Sequence, residues 1–152
     1  EVLSDDVSDA IVAVDNNTVS RTAFNGIFAN NGDAGLLDIH IRGNTVSAPL
    51  DVVPASGLAV HGIEVNPLPE ASTTCLNISG NTSAGNAASG GAGYRTRQRD
   101  PAVFRLERFT GSPTSAADVI AFLQAQNASG SGSATVQAGY TPVPNGGCRI
   151  VP

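Results

Sequence analysis

Ile11-Val12-Ala13-Val14-Asp15-Asn16-Asn17-Thr18-Val19-Ser20, Asp38-Ile39-His40-Ile41-Arg42-Gly43-Asn44-Thr45-Val46-Ser47 and Cys75-Leu76-Asn77-Ile78-Ser79-Gly80-Asn81-Thr82-Ser83 align without a gap. Each reads as apolar, any residue, apolar, polar, Gly or Asn, Asn, Thr. The Asn-Thr pairs recur after 27 and then 37 residues. A fixed motif at an unequal period means one structural turn joined by loops of variable length. Within each segment the apolar period is two, which marks a strand with Val12/Val14, Ile39/Ile41 and Leu76/Ile78 on one face. A weaker repeat follows each segment: Asn25-Gly26-Ile27-Phe28-Ala29-Asn30, His61-Gly62-Ile63-Glu64-Val65-Asn66 and Ala92-Gly93-Tyr94-Arg95-Thr96-Arg97.

No strand is followed directly by a tight hairpin that doubles back, although Asn31-Gly32 could close a corner. Equivalent strands return only after a full circuit, which predicts parallel stacking of rungs that touch only their neighbours. The expected fold class is all-β: a parallel β-helix, or β-solenoid, of three to four coils with a C-terminal capping helix. Asn tolerates the left-handed backbone of a corner. Stacked at about 4.8 Å, Asn17, Asn44 and Asn81 could also hydrogen-bond in a ladder along the axis. Glycosylation is the alternative, because Asn16, Asn77, Asn81 and Asn127 each begin an Asn-x-Ser/Thr triplet.

The expected organisation is a polar lead-in over 1–9, coils over 10–109 and a cap over 110–152. Val103–Phe109 alternates as a last strand. Thr114 or Ser115 can cap a helix over 114–126, with Val119, Ile120, Phe122 and Leu123 on its apolar face. The tail holds two candidate strands, 134–138 and 148–151. The helix would cover the last rung's unpaired backbone. The lead-in offers little cover to the first rung, so further coils of a parent chain or a second copy are expected there.

The Ile-x-Gly-Asn-Thr motif resembles the right-handed parallel β-helix repeats of the pectate-lyase-like class. The run Tyr94-Arg95-Thr96-Arg97-Gln98-Arg99, then Phe104-Arg105-Leu106, then Phe109-Thr110-Gly111, then 119–127 and the late Cys148 resembles the C-terminal region of large bacterial β-strand-repeat surface proteins. This resemblance covers residues 10–150 and implies a location and a fold, but no chemistry.

Composition agrees with a thin, stacked core. Hydrophobic residues make up 41% of the 152, above what a disordered tail carries, while charged residues make up only 14%. Lysine is absent and all 8 basic residues are arginines. Residues 1–76 hold ten acids against Arg21 and Arg42; residues 77–152 hold three acids against six arginines. The net charge of −5 argues against nucleic acid. No apolar run reaches the roughly 18 residues that span a bilayer. The chain starts at Glu1 without Met, as a processed chain would. Cys75 and Cys148 lie outside any C-x-x-C pair and away from zinc-finger spacing, so no metal centre is expected. In so Asn- and Thr-rich a chain they are read as one disulfide in an oxidising compartment, with two buried thiols as the alternative. The expected setting is therefore extracellular or cell-surface.

Candidate sites are few, and no catalytic residue or cofactor is assigned. Asp38, His40 and Arg42 alternate on one outward face and could bind or cleave a glycan. Position 40 is Ala13 and Asn77 in the neighbouring segments, which reads equally well as surface variety. Arg95, Arg97, Arg99, Arg105 and Arg108 concentrate the positive charge and could meet acidic glycans or an acidic subunit face. Glu64 and Arg95 align on adjacent coils as a surface ion pair. His61 is read as a corner residue. No P-loop, Gly-x-Ser-x-Gly or His-Glu-x-x-His occurs. The expected function is a structural or adhesive module of a bacterial surface protein or fibre, self-associating end to end or continuing a longer stack; the alternative is a glycan-binding or glycan-cleaving domain.

Overall fold

The structure, a computed structural model, describes residues 1–4, 7–50 and 58–149. It is mostly β with parallel sheets and one helix. In chain order the strands are β1 (Val2–Ser4), β2 (Asp9–Asp15), β3 (Thr18–Val19), β4 (Ile27–Asn31), β5 (Leu36–Arg42), β6 (Thr45–Val46), β7 (Ile63–Val65), β8 (Thr73–Ser79), β9 (Thr82–Ser83), β10 (Tyr94–Arg97) and β11 (Val103–Glu107). Helix α1 (Ala116–Gln126), β12 (Gly132–Thr135) and β13 (Tyr140–Val143) follow. The first sheet runs β1-β4-β7-β10-β12, the second β13-β11-β8-β5-β2 and the third β3-β6-β9. The chain thus visits the three sheets in constant rotation, and every pairing is parallel.

The registers match the aligned segments. Val12, Ile39 and Leu76 pair in one row, and Ile27, Ile63 and Tyr94 in another. Alternation buries one side of each strand: Leu37, Ile39, Ile41, Leu76, Ile78, Phe104 and Leu106 meet Ile27, Ala29, Ile63, Val65 and Tyr94 in a common core. Such β-branched and small residues fill the narrow space between facing sheets.

The corners differ from expectation in one detail. The left-handed residue is not the repeated Asn but the one before it: Asn16 (φ 57°), Gly43 (φ 63°), Gly80 (φ 67°) and, in the fourth circuit, Arg108 (φ 66°). The asparagines themselves stack. Asn17 N and Nδ2 donate to Asn44 Oδ1 at 2.9 and 3.0 Å, and Asn44 N and Nδ2 donate to Asn81 Oδ1, both at 2.9 Å. The series continues to a fourth residue, since Asn81 N and Nδ2 donate to Asn127 Oδ1 at 3.1 and 2.8 Å. Thr82 bridges Ser129 in parallel. Residues 110–126 are therefore an excursion inserted at the fourth corner, and Asn127 resumes the rung.

Ser115 caps α1, its Oγ accepting from Asp118 N. Val119, Phe122 and Leu123 are buried, and Phe109 meets Phe122 edge-on at 5.4 Å. Gly80 N donates to Gln126 O, and Asn127 Nδ2 to Leu123 O, so α1 closes the ladder's lower end. In the expected lead-in 1–9, Val2–Ser4 forms a strand and Asp9 begins the next. The expected tail strand 134–138 appears as β12, two residues earlier, and β13 was not foreseen. Cys148 and Arg149 lie outside any strand; residues 150–151 of the other tail candidate lie outside the described residues.

Candidate ligand-binding cleft

The outer faces of the first and second sheets have opposite fates. On the second, Asp38, His40 and Arg42 share one side of β5, as alternation requires. They do not form an open site, because the C-terminal tail lies across that side. Cys75 and Cys148 are joined in a disulfide with Cα atoms 5.5 Å apart. Arg149 N and Nε donate to the Asp38 carboxylate at 3.0 and 2.5 Å, and Cys148 N donates to Glu107 Oε2 at 3.1 Å. Asp38 and His40 are each left 3% exposed. Arg42 is spent on Asp15, Nη2 to Oδ2 at 2.6 Å, and that carboxylate raises its pKa further. Asp38, Cys75 and Cys148 are grouped tightly enough for a cation, yet the disulfide takes both sulfurs.

The outer face of the first sheet carries a cleft, in which Glu64 and Asn66 are themselves buried. Strand alternation brings Phe28, Glu64 and Arg95 into one row on β4, β7 and β10. The next row outward holds Asn30, Asn66 and Arg97. With Phe24, Asn25 and His61 these side chains line a cleft of about 370 Å³; Asn30 stands beside it. A second hollow of about 400 Å³, lined by Glu1, Phe24, Asn25, Gly26 and Phe28, adjoins it across the two phenylalanines. The chain can lie this close to its neighbours because position 62 is glycine: a Cβ there would stand 2.1 Å from Ser83 Oγ and 2.7 Å from Ala84 O.

Asn25 organises the cleft. Its Nδ2 donates to Glu64 Oε2 at 2.7 Å, and its Oδ1 accepts from His61 N at 2.7 Å. Glu64 Oε1 is 3.6 Å from Arg95 Nε, the aligned pair foreseen from the repeat. Burial raises the Glu64 pKa, against the pull of Asn25 and Arg95. His61 does more than turn a corner. Its Nδ1 accepts from Ala92 N at 2.9 Å, which leaves the ring proton on Nε2. Burial, and then the charge of Arg95, lower its pKa to about 4, so the ring is neutral at pH 7.

The five clustered arginines separate. Arg95 and Arg97 line this cleft, and Arg99 follows; burial and the charge of Arg97 lower the pKa of Arg99. Arg105 is exposed on the second sheet, and Arg108 donates from Nη2 to Asn77 Oδ1 at 3.1 Å. Phe24, Phe28, Asn30 and Asn66 were not read as site residues, although the second repeat aligned Asn30, Asn66 and Arg97 at its last position.

No protein-family model matches the chain, and neither a curated protein nor a solved structure does.

Proposed function

We propose that this chain is a structural and adhesive module of an extracellular bacterial surface protein or fibre, wound as a β-solenoid and forming the closed end of a stack. The observation that carries this reading is the contrast between its two ends. Among the described residues all three sheets begin on the same side with strands unpaired along one edge, β1, β2 and β3. There Leu3 is 58% and Ile11 37% exposed, and Asn17 Oδ1 accepts no hydrogen bond among the described residues. At the other side the third sheet ends in a lone bridge between Thr82 and Ser129, α1 packs against β12, the last strand of the first sheet, and Pro142 on the edge strand β13 removes a donor. Bare strand edges are templates for pairing; blunted ones resist it.

The ladder's direction selects the partner. Each rung accepts on Oδ1 from the rung before it, so Asn17 offers an acceptor to a preceding rung of the same kind. The occupant of the open end is accordingly a parallel coil that carries the same Asn-centred corner. Of the two expected arrangements, end-to-end self-association and continuation of a longer stack, a blunted far side favours the second. Among the described residues no helix is long and apolar enough to cross a membrane. The disulfide supports an oxidising, extracellular setting.

The test places a copy of residues 65–95, one full circuit with its Cys75 changed to serine, directly ahead of Val2, which stands in the row of Val65 and Thr96. The added rung should raise the thermal midpoint by several degrees, and Asn→Ala at its ladder position should abolish the gain. An unchanged midpoint refutes the stacking. Sedimentation of the unmodified chain over a wide concentration range is the second check: long filaments would contradict a closed end.

A further inference from the structure

We propose that the cleft on the first sheet binds an acidic saccharide, with the Arg97 guanidinium receiving its carboxylate and Phe28 lying under a sugar ring. This goes beyond the structural role and does not depend on it.

The starting point is a row of unanswered polar atoms. Asn30 Oδ1, Asn66 Oδ1 and Arg97 Nε are each buried and have no hydrogen-bond partner among the described residues. They come from three successive circuits: Ala29 pairs with Val65 and Val65 with Thr96, so the three residues that follow stand side by side. A buried polar atom left unsatisfied is costly, and such groups call for a ligand or a water. Three in one row beside a cleft describe a surface that a ligand completes. The row asks for donors at the two amide oxygens and an acceptor at the guanidinium. A sugar ring bearing hydroxyls and a carboxylate supplies both.

Charge agrees. Arg95 and Arg97 line the cleft against Glu64, Arg99 is near enough to act on that carboxylate, and Glu1 lines the adjoining hollow, which leaves a positive patch on a chain of net charge −5. Arg95 is engaged by Glu64, Ser133 and Thr135, whereas Arg97 forms no ion pair among the described residues. The aromatic component agrees as well. Phe24 is half-exposed and lies with Phe28 where the two hollows meet, giving an apolar platform for the C–H face of a sugar. An extended, two-lobed trough suits several linked sugars better than one compact group.

The test is calorimetric titration of the intact chain with a hexasaccharide of alternating glucuronate residues (hyaluronan hexasaccharide), its carboxyl-reduced counterpart, and adenosine triphosphate. Saturable binding of the acidic sugar is expected. Carboxyl reduction and Arg97→Gln should each weaken it by roughly ten-fold or more, the usual worth of a charge-assisted contact. Phe28→Ala should do the same, and Arg105→Gln on the other sheet should change nothing. Circular dichroism confirms that each variant keeps its fold. Equal affinity for the reduced sugar, equal affinity for the triphosphate, an equal effect of Arg105→Gln, or no binding at millimolar sugar overturns the proposal. None of these outcomes touches the stacking test above.

Discussion

Replacing Asn81 with alanine tests the stacked corner directly. Asn81 is fully buried. Its Oδ1 accepts from Asn44 N and Nδ2, and its Nδ2 donates to Ile41 O, Ser79 O and Asn127 Oδ1 at 2.9, 3.2 and 2.8 Å. Alanine strands the Asn44 backbone N–H, which has no other acceptor among the described residues; that alone costs about 1–3 kcal/mol. Asn44 Nδ2 keeps Val14 O and Arg42 O, and Asn127 Oδ1 keeps Asn81 N. The lost side-chain bonds, at about 0.5–1.5 kcal/mol each, and the small void bring the total to roughly 3–5 kcal/mol. The same change at exposed Asn17 leaves Asn17 N bonded to Asn44 Oδ1, and water replaces Nδ2, so about 0.5–1 kcal/mol is expected. Asn81→Asp keeps the acceptor but replaces the donor with a carboxylate oxygen facing Ile41 O, Ser79 O and Asn127 Oδ1, and should cost at least as much as alanine. Urea unfolding followed by far-UV circular dichroism, with the disulfide intact, gives these differences from the midpoint at constant slope. Losses at positions 81 and 17 that agree within about 1 kcal/mol would refute the ladder as the element that holds successive circuits together.

Three further outcomes are expected. Replacing Cys75 and Cys148 with serine opens a closure of 73 residues and should cost about 4 kcal/mol in the chain-entropy model, read from urea midpoints; a loss under about 1 kcal/mol counts against the tail as a fixed cover. His61 protonates near 6.5 when unfolded and at about 4 when folded, so its contribution is complete above pH 6.5 and is lost as pH falls toward 4; it amounts to at most about 3 kcal/mol, and less where cleft water reaches the ring. Glu64, with its raised pKa, acts in the opposite sense, so the measurement compares the pH profiles of the parent and His61→Gln, and parallel profiles would contradict the buried neutral ring. Gly62→Ala drives a Cβ into Ser83 Oγ and two backbone oxygens and should unfold the chain at 37 °C, whereas Gly90→Ala meets nothing within 4 Å and carries only the left-handed strain of φ 75°, roughly 1 kcal/mol; similar melting points for the two would refute the close approach.

What could be read from the residues alone tracks how long each pattern is. The seven-residue strands β2, β5 and β8 carry enough alternation, with Asn-Thr behind them, to be aligned by eye. The third sheet consists of two-residue strands, too short for any period to show, so a third strand per circuit was not specified. Asn127 escaped because a helix of eleven residues separates it from Phe109, although Asn127-Ala128-Ser129 keeps the corner's chemistry. Asp38 and His40 were placed on the correct side of β5 and given the wrong surroundings. Alternation says which way a side chain points; it cannot say that Arg149, 111 positions away, lies on top of it. For the cleft, the Glu64–Arg95 alignment was legible, while the unanswered row needed atomic positions.

The two outer faces show one problem handled in two ways. Any strand that buries one side must present polar groups on the other, and those groups need partners. On the second sheet the chain supplies them itself: Arg149 answers Asp38, Cys148 N answers one Glu107 oxygen, Asn77 Nδ2 answers the other, and Arg108 answers the Asn77 oxygen. His40 and Arg108 are incomplete there, with neither ring nitrogen of His40 and not the Nε of Arg108 bonded among the described residues. On the first sheet Asn25 and Arg95 satisfy Glu64, and Ser133 and Thr135 engage Arg95, but among the described residues nothing answers the next row. The same fold that spends a disulfide and a tail to complete one face leaves Asn30, Asn66 and Arg97 incomplete on the other, next to a trough floored by two aromatic rings. That difference, rather than the presence of arginines as such, is why the binding surface is assigned to the first sheet.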